Sequence, residues 1–230
     1  MQKNRLVLAL AALLPLSVYA VEAAASDVYA GAYAGIYGGH ASADDKGKGY
    51  DQDDRTRNNW AQDVSPKGGV YGLKAGYNWT LGNDLLLGVE ADYEGRSKNE
   101  DEALQEFEGV PDTNYSLETE LKQAASLRAR FGYLFNDKGL VYLTGGYATV
   151  EAKRTWNDFF RGESESHSGW QDGWTAGAGA EYLLLDNVSA GVEYRYSDYG
   201  SEDVDANMWG EYYKQELTEE SLRVSVNYLF

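Results

Sequence analysis

The sequence contains no cysteine, so neither a disulfide framework nor a thiolate metal site is open to it. Histidine is nearly missing as well: His40 and His167 are the only two. Beyond residue 20 there is no run of ~18 apolar residues, which excludes a membrane-spanning helix. Positive charge is scarce. Lys and Arg number 20 against 37 Asp and Glu, a formal net charge of −17. That balance argues against a nucleic-acid partner, because phosphate contacts need Lys and Arg. Proline is rare too, with three in 230 residues, while Tyr (19), Trp (6) and Gly (26) are abundant. Tyr and Trp favour strands and also membrane–water interfaces.

The first twenty residues, MQKNRLVLALAALLPLSVYA, have the three parts of a secretory signal peptide. Lys3 and Arg5 form the basic start, Leu6 to Leu16 the apolar core, and Val18-Tyr19-Ala20 a small-residue exit. A second cut is available after Ala23-Ala24-Ala25. No cysteine follows either cut, so a lipid anchor is excluded. Residues 1–20 are expected to be a leader and 21–27 a short periplasmic segment. Loss of Lys3 and Arg5 after Ala20 takes the formal charge from −17 to −19. The remaining ~210 residues suffice for one large β domain.

Period-2 alternation runs through that remainder. The closing stretch SLRVSVNYLF sets Leu222, Val224, Val226, Tyr228 and Phe230 against Arg223, Ser225 and Asn227. Such a pattern reads as a strand with one apolar face. Residues 70–80, 85–94, 121–135, 174–184 and 188–199 alternate likewise. Residues 28–39 and 140–150 are Gly-rich strands, and the facing of the second stays open. With 218–230 the total is eight.

Connections alternate in length. Leu81-Gly82-Asn83-Asp84, Asn136-Asp137-Lys138-Gly139 and Asp186-Asn187 are hairpin turns, since Asn, Asp and Gly tolerate φ > 0. Long, acid-rich loops are expected at about 40–69, 95–120, 151–173 and 200–217. Short turns at one end and long loops at the other is the layout of a transmembrane β-barrel.

The two faces decide between a soluble and a membrane barrel. One face carries Gly, Lys, Glu, Asp and Arg; the other carries Tyr, Trp, Leu, Val and Ala. An eight-stranded interior is only wide enough for side chains to fill, which suits glycines and paired charges. Aromatics toward strand ends, such as Tyr71, Trp79, Tyr93, Trp174 and Tyr228, suit two interfacial girdles. The fold class is therefore an all-β, eight-stranded antiparallel up-and-down transmembrane barrel, with its last strand closing the ring and removing exposed edges.

At 173–200 the chain reads GWTAGAGAEYLLLDNVSAGVEYRYSDYG. Gly173-Trp174-Thr175, Gly177, Gly179, Glu181-Tyr182, Asp186-Asn187 and Glu193-Tyr194 resemble the sixth and seventh strands of the porin-like outer-membrane β-barrel surface-antigen family of alphaproteobacteria. The opening Tyr29-Ala30-Gly31-Ala32-Tyr33-Ala34-Gly35 and the closing Val226-Asn227-Tyr228-Leu229-Phe230 are similar too. The resemblance implies an integral outer-membrane protein with eight strands, and says little about a ligand, because loops carry specificity. The alternating end at Val226, Tyr228 and Phe230 also resembles the signal read by the barrel-assembly machinery.

Among candidate chemical groups, the interior charges come first. With the turn symmetric about Gly82, Lys74 is expected directly opposite Glu90, with Asp92 the next inward acid. Lys122, Arg128, Arg130, Arg195 and Arg223 then balance Glu181 and Glu193. Buried charges must be paired. Two readings follow: a salt-bridged plug in a structural and surface-interaction protein, or the selectivity lining of a small porin-like channel. An enzyme is not expected, since His167 with Ser166 and Ser168 beside it makes no triad. Asp44, Asp45, Asp51, Asp53 and Asp54 lack the spacing of a Ca²⁺ loop, so no metal or cofactor is expected. The expected partners are outer-membrane lipid, lipopolysaccharide, the assembly machinery and an extracellular ligand at the acidic loops.

Overall fold

The computed structural model describes residues 28–82, 84–136 and 138–230. The expected leader (1–20) and the segment 21–27 lie outside the described residues, as do Asn83 and Asp137 of the first two tight turns. Nine strands follow in order: β1 (Gly31–Asp51), β2 (Arg57–Val64), β3 (Lys67–Gly82), β4 (Leu85–Phe107), β5 (Val110–Phe135), β6 (Gly139–Asp158), β7 (Glu163–Leu185), β8 (Val188–Ala206) and β9 (Glu211–Leu229). All pairings are antiparallel: β1 pairs with both β2 and β3, β2 also with β4, the strands from β3 to β9 pair in sequence, and β9 pairs back onto β1 from Tyr33–Leu229 to Asp51–Glu211, which closes the ring.

The ring has eight walls, as the alternation predicts. β2 and β3 form one wall, because β1 pairs Ser42 with Lys67 and Asp45 with Val64 in a single register. The break falls at Ser65-Pro66, where proline has no N–H to give the ladder. The Pro66 carbonyl still accepts the Ala43 N–H at 2.8 Å, and the Ser65 N–H turns to Asp101 Oδ2 at 3.0 Å.

The walls are much longer than a membrane requires. β4, β5 and β7 have 23, 26 and 23 residues, against the ~9–11 of a tilted spanning strand. The outward apolar belt occupies the half near the short turns, where Ile36, Leu73, Val89, Leu127, Leu143, Val192 and Val224 are exposed. Aromatics bound it: Tyr71, Tyr93, Tyr147 and Trp174 on one side, Trp79, Tyr133, Tyr182 and Tyr228 on the other. Among the described residues, no helix is long and apolar enough to cross a membrane.

The four segments expected as long loops are strand for most of their length. β4 and β5 turn only at Glu108-Gly109, both at positive φ (53° and 79°) as a two-residue type I′ hairpin requires. β8 and β9 are joined through a short 3₁₀ turn at Asn207–Trp209. Apolar-versus-polar alternation fades in this region because the outer face meets water, and part of the inner face is polar as well. The barrel therefore continues past the membrane as a folded extension.

The interior is layered from end to end. Nearest the short turns lies an apolar cluster of Tyr29, Tyr33, Leu86, Leu134, Leu140, Tyr142, Leu183 and Leu229. Above the charged layer described below sit Ala43, Leu121, Ala124, Ala148, Val150, Ala152, Tyr199 and Leu217. Near the far end are Val64, Leu117, Trp156, Val204, Ala206 and Tyr213, with Trp60, Met208 and Trp209 packed on them.

Candidate functional site

The charged layer is built by inward positions at regular spacing on every wall except β1 and β6. β4 contributes Glu90, Asp92, Glu94 and Arg96; β5 Arg128 and Arg130; β7 Glu181; β8 Glu193 and Arg195; β9 Glu219 and Arg223; β3 Lys74. All twelve side chains are buried, the most exposed of them 8% accessible. Six carboxylates (Glu90, Asp92, Glu94, Glu181, Glu193, Glu219) face six cations (Lys74, Arg96, Arg128, Arg130, Arg195, Arg223), so the layer is neutral. The strong net negative charge of the chain lies elsewhere.

The pairs form two groups joined through Tyr37, whose hydroxyl donates to Asp92 Oδ1 at 3.3 Å and whose ring centroid lies 5.2 Å from the Arg223 guanidinium. Lys74 Nζ lies 3.6 Å from both Glu90 Oε2 and Glu181 Oε1. Arg130 donates to Glu181 Oε1 at 2.7 Å and stacks its guanidinium 3.8 Å above the Tyr142 ring. Arg128 bonds Glu90, reaches Asp92 at 3.1 Å and Glu193 at 2.9 Å, and meets Thr144 Oγ1 at 3.0 Å. Arg195 bridges Asp92 and Glu193 at 3.1 and 2.9 Å. Higher up, Glu94 lies 2.8 Å from Arg223 and 3.1 Å from Arg96, which also pairs with Glu219. The Tyr33 hydroxyl donates to Glu90 Oε2 at 2.7 Å, and the Ser126 hydroxyl to Asp92 Oδ2 at 2.5 Å.

Two expected placements need correction. Directly opposite Lys74 on the ladder is Asp92, while Glu90 faces Gly76. The hairpin closes with Gly82 opposite Leu85 rather than symmetrically about Gly82, and a one-residue irregularity between Thr80 and Gly82 then sets Lys74 opposite Asp92, from where it reaches Glu90 diagonally. Lys122 is outside the charged layer. A bulge between Leu121 and Ala124 lets both of those residues point inward, which puts Lys122 and Gln123 on the outer side, where Lys122 Nζ lies 3.9 Å from Glu151.

Sequence reasoning missed Glu94, Arg96 and Glu219, although each is in phase with a residue it found: Glu94 and Arg96 follow Asp92, and Glu219 precedes Arg223. It also missed the inward tyrosines, each lying across a glycine on the next strand: Tyr33 opposite Gly76, Tyr37 opposite Gly72, Tyr142 opposite Gly179. A second buried site escaped it in the extension, where Arg154 grips Asp45 at 2.7 and 2.9 Å and Thr119 and Gln171 complete the bonding. Within the charged layer lies a cavity of about 10 Å³, lined by Tyr37, Lys74, Glu90, Arg128, Glu193 and Arg195 among others.

Val226 and Tyr228 point outward on β9, and Phe230, one residue past its end, is exposed as well. The Phe230 N–H donates to the Ala32 carbonyl at 3.0 Å, and its ring meets Tyr228 edge-on at 5.0 Å. Among the described residues, no group of three or more His, Asp or Glu side chains is arranged to hold a metal ion.

A closed eight-walled barrel with an apolar belt outside and neutralised charge inside is an integral outer-membrane β-barrel protein. The chain belongs to the outer membrane protein beta-barrel domain family, which it matches over residues 7–230. It is similar to the 31 kDa outer-membrane immunogenic protein of Brucella melitensis, 31% identical over 208 residues, 88% of this chain and 84% of the relative. The 25 kDa outer-membrane immunogenic protein of Brucella abortus is 31% identical over 244 residues, covering 98% and 97% of the two chains. The solved structure of the outer membrane protein OprG from Pseudomonas aeruginosa shares the fold, with a TM-score of 0.52 at 13% identity, covering 87% of this chain and 97% of that one. The protein resides in the outer membrane.

Proposed function

We propose that this protein is a closed outer-membrane scaffold that carries a folded extracellular extension, serving envelope integrity and surface interaction rather than transport or catalysis. One observation carries the reading: six carboxylates and six cations, all buried, fill the interior as mutual pairs, and the cavity among them is about 10 Å³, no more than one water needs. A permeating ion with its hydration shell does not fit, and every charge that would line a filter is held by an opposite one. The apolar layers on either side add two further barriers.

The names of the two Brucella relatives, both immunogenic outer-membrane proteins, support a surface-antigen role. Nothing favours catalysis: His167 pairs across its ladder with Arg154, and the neighbouring Ser166 hydroxyl shares a hydrogen bond with Thr155 at 3.0 Å. The partners that fit are membrane lipid and lipopolysaccharide around the belt, the assembly machinery at Val226, Tyr228 and Phe230, and a ligand at the acidic outer end. Planar-bilayer recording of the refolded protein tests closure. No steady current is expected; a reproducible stepwise conductance would replace the scaffold with the small porin-like channel.

A further inference from the structure

The mouth of the extension holds a pocket of about 320 Å³ that the scaffold role does not need. Its walls mix polar side chains with aromatic rings, and the rings come from three separate parts of the barrel: Trp60 on β2, Tyr115 on β5 and Trp209 in the turn before β9. Tyr115 stands nearly perpendicular to both indoles, at 81° and 88°, with ring centroids 5.3 and 5.4 Å apart. The turn is fixed from β7: Glu165 accepts the Met208 N–H at 2.8 Å and the Asn207 amide at 2.9 Å. Trp209 Nε1 donates to Asp158 Oδ2 at 3.2 Å.

The inner side of the pocket is polar and incompletely bonded. Gln105 is 1% exposed, yet its Nε2 has no hydrogen-bond partner among the described residues. The Tyr213 hydroxyl lies 3.1 Å from Gln105 Oε1 and 2.9 Å from Glu211 Oε2. It has one proton, so it serves one of these acceptors at a time and leaves the other open. The pocket thus offers a buried donor, a buried acceptor, the Arg161 guanidinium and aromatic faces at one place.

We propose that this mouth pocket binds a terminal neutral sugar ring of a glycan. A pyranose has an apolar C–H face to lay on an indole or phenol ring, and hydroxyls that donate and accept at its edge. The volume suits one or two such rings. A quaternary ammonium group would fit an aromatic box, but it offers nothing to the Gln105 donor, and Arg161 repels it. A hydrocarbon would leave both polar groups unmet, which buried amides do not tolerate cheaply.

The test uses the full-length mature protein, refolded in detergent, with saturation-transfer NMR and tryptophan emission as readouts. The probes are glucose, mannose, galactose, rhamnose, N-acetyllactosamine and tetramethylammonium. At least one sugar should give saturable transfer; rhamnose alone would point to bacterial polysaccharide, N-acetyllactosamine alone to eukaryotic glycoconjugates. Trp209→Ala and Gln105→Leu should each weaken that binding by about ten-fold or more, with heat-modifiable migration kept as the check on folding. Where one variant fails to fold, the other decides. Absence of any saturable sugar signal would overturn the proposal. So would tetramethylammonium binding more tightly than every sugar, or sugar binding unchanged in the folded variants.

Discussion

Tyr33 lies across Gly76, its partner on the next strand, and from there its hydroxyl reaches Glu90 Oε2 at 2.7 Å. The glycine makes this approach available: a Cβ at Gly76 would stand 2.5 Å from the Val89 carbonyl oxygen and 2.6 Å from the Tyr33 ring. Gly76→Ala should therefore displace the ring, loosen the Glu90 hydrogen bond and destabilise the barrel by ~1–3 kcal/mol, the usual cost of overpacking. Gly145 points outward, with its nearest atom 3.8 Å from a Cβ. Gly145→Ala should unfold in urea at the wild-type midpoint, and Gly76→Ala at a lower one.

Lys74 tests the charge layer as a whole. Replacing it with Met leaves six carboxylates facing five cations in a layer whose cavity holds no more than one water. Removing one partner of a buried pair costs ~3–5 kcal/mol, whereas in a water-filled pore the same pair would be worth ~0–1 kcal/mol. Lys74→Met should lower the unfolding midpoint clearly. Lys74→Met with Glu90→Gln restores neutrality and should recover part of the loss, although Arg128 then keeps only Asp92 and Glu193. Equal midpoints for wild type and the single variant would mean the layer is hydrated.

The membrane half was legible because two solvents act on it: lipid outside demands apolar residues, and a narrow interior demands glycine and paired charge. Lys74, Glu90, Arg128, Glu181 and Arg223 followed from that contrast and a period of two. Register was less legible. The first hairpin closes at Gly82–Leu85 rather than about Gly82, with an irregularity beside it, which set Lys74 opposite Asp92; the bulge at Leu121–Ala124 turned Lys122 outward, and no composition rule marks a bulge. The extension was hidden for a different reason. Water bathes its outside, while Asp45, Thr119, Arg154 and Gln215 sit inside, so polar residues occupy both faces and the alternation disappears.

Asp45 should report on that extension alone. It accepts both Arg154 contacts and the Thr119 hydroxyl, between two apolar layers. Asp45→Asn leaves the Arg154 charge buried with only neutral acceptors, the new amide oxygen and Gln171 Oε1. Proteolysis within 40–69 and 151–173 should accelerate, while the belt-embedded half keeps its heat-modifiable migration. Protection equal to wild type would show that the apolar layers hold the extension without the ion pair.

The turn at Asn207–Trp209 should respond to acid. Partial burial works to raise the Glu165 carboxyl, but hydrogen bonds from the Asn207 side chain and the Met208 N–H hold it below the ordinary glutamate value. A carboxylate whose folded value is depressed contributes stability above its unfolded value, ~4.3, and loses it as pH falls through the folded one. Protection of the 207–209 amides, taken relative to their intrinsic exchange rates at each pH, should thus hold at neutral pH and fall below about pH 4. Glu165→Gln should remove that pH dependence. An acid response unchanged in Glu165→Gln would assign it to another carboxylate.

Phe230 separates assembly from stability. Its N–H makes one hydrogen bond, to Ala32, at the end of a β1–β9 seam of nineteen paired positions, and its ring is largely exposed beside Tyr228. Deleting it removes a bond worth ~0.5–1.5 kcal/mol and little buried surface. The purified, refolded deletion variant should therefore unfold near the wild-type midpoint. If the outward row Val226, Tyr228 and Phe230 is read during assembly, the same deletion should sharply reduce the outer-membrane level in cells, with export unaffected. A midpoint and a cellular level that fall in proportion would make Phe230 a seam residue only. A normal cellular level would remove it from the recognition row altogether.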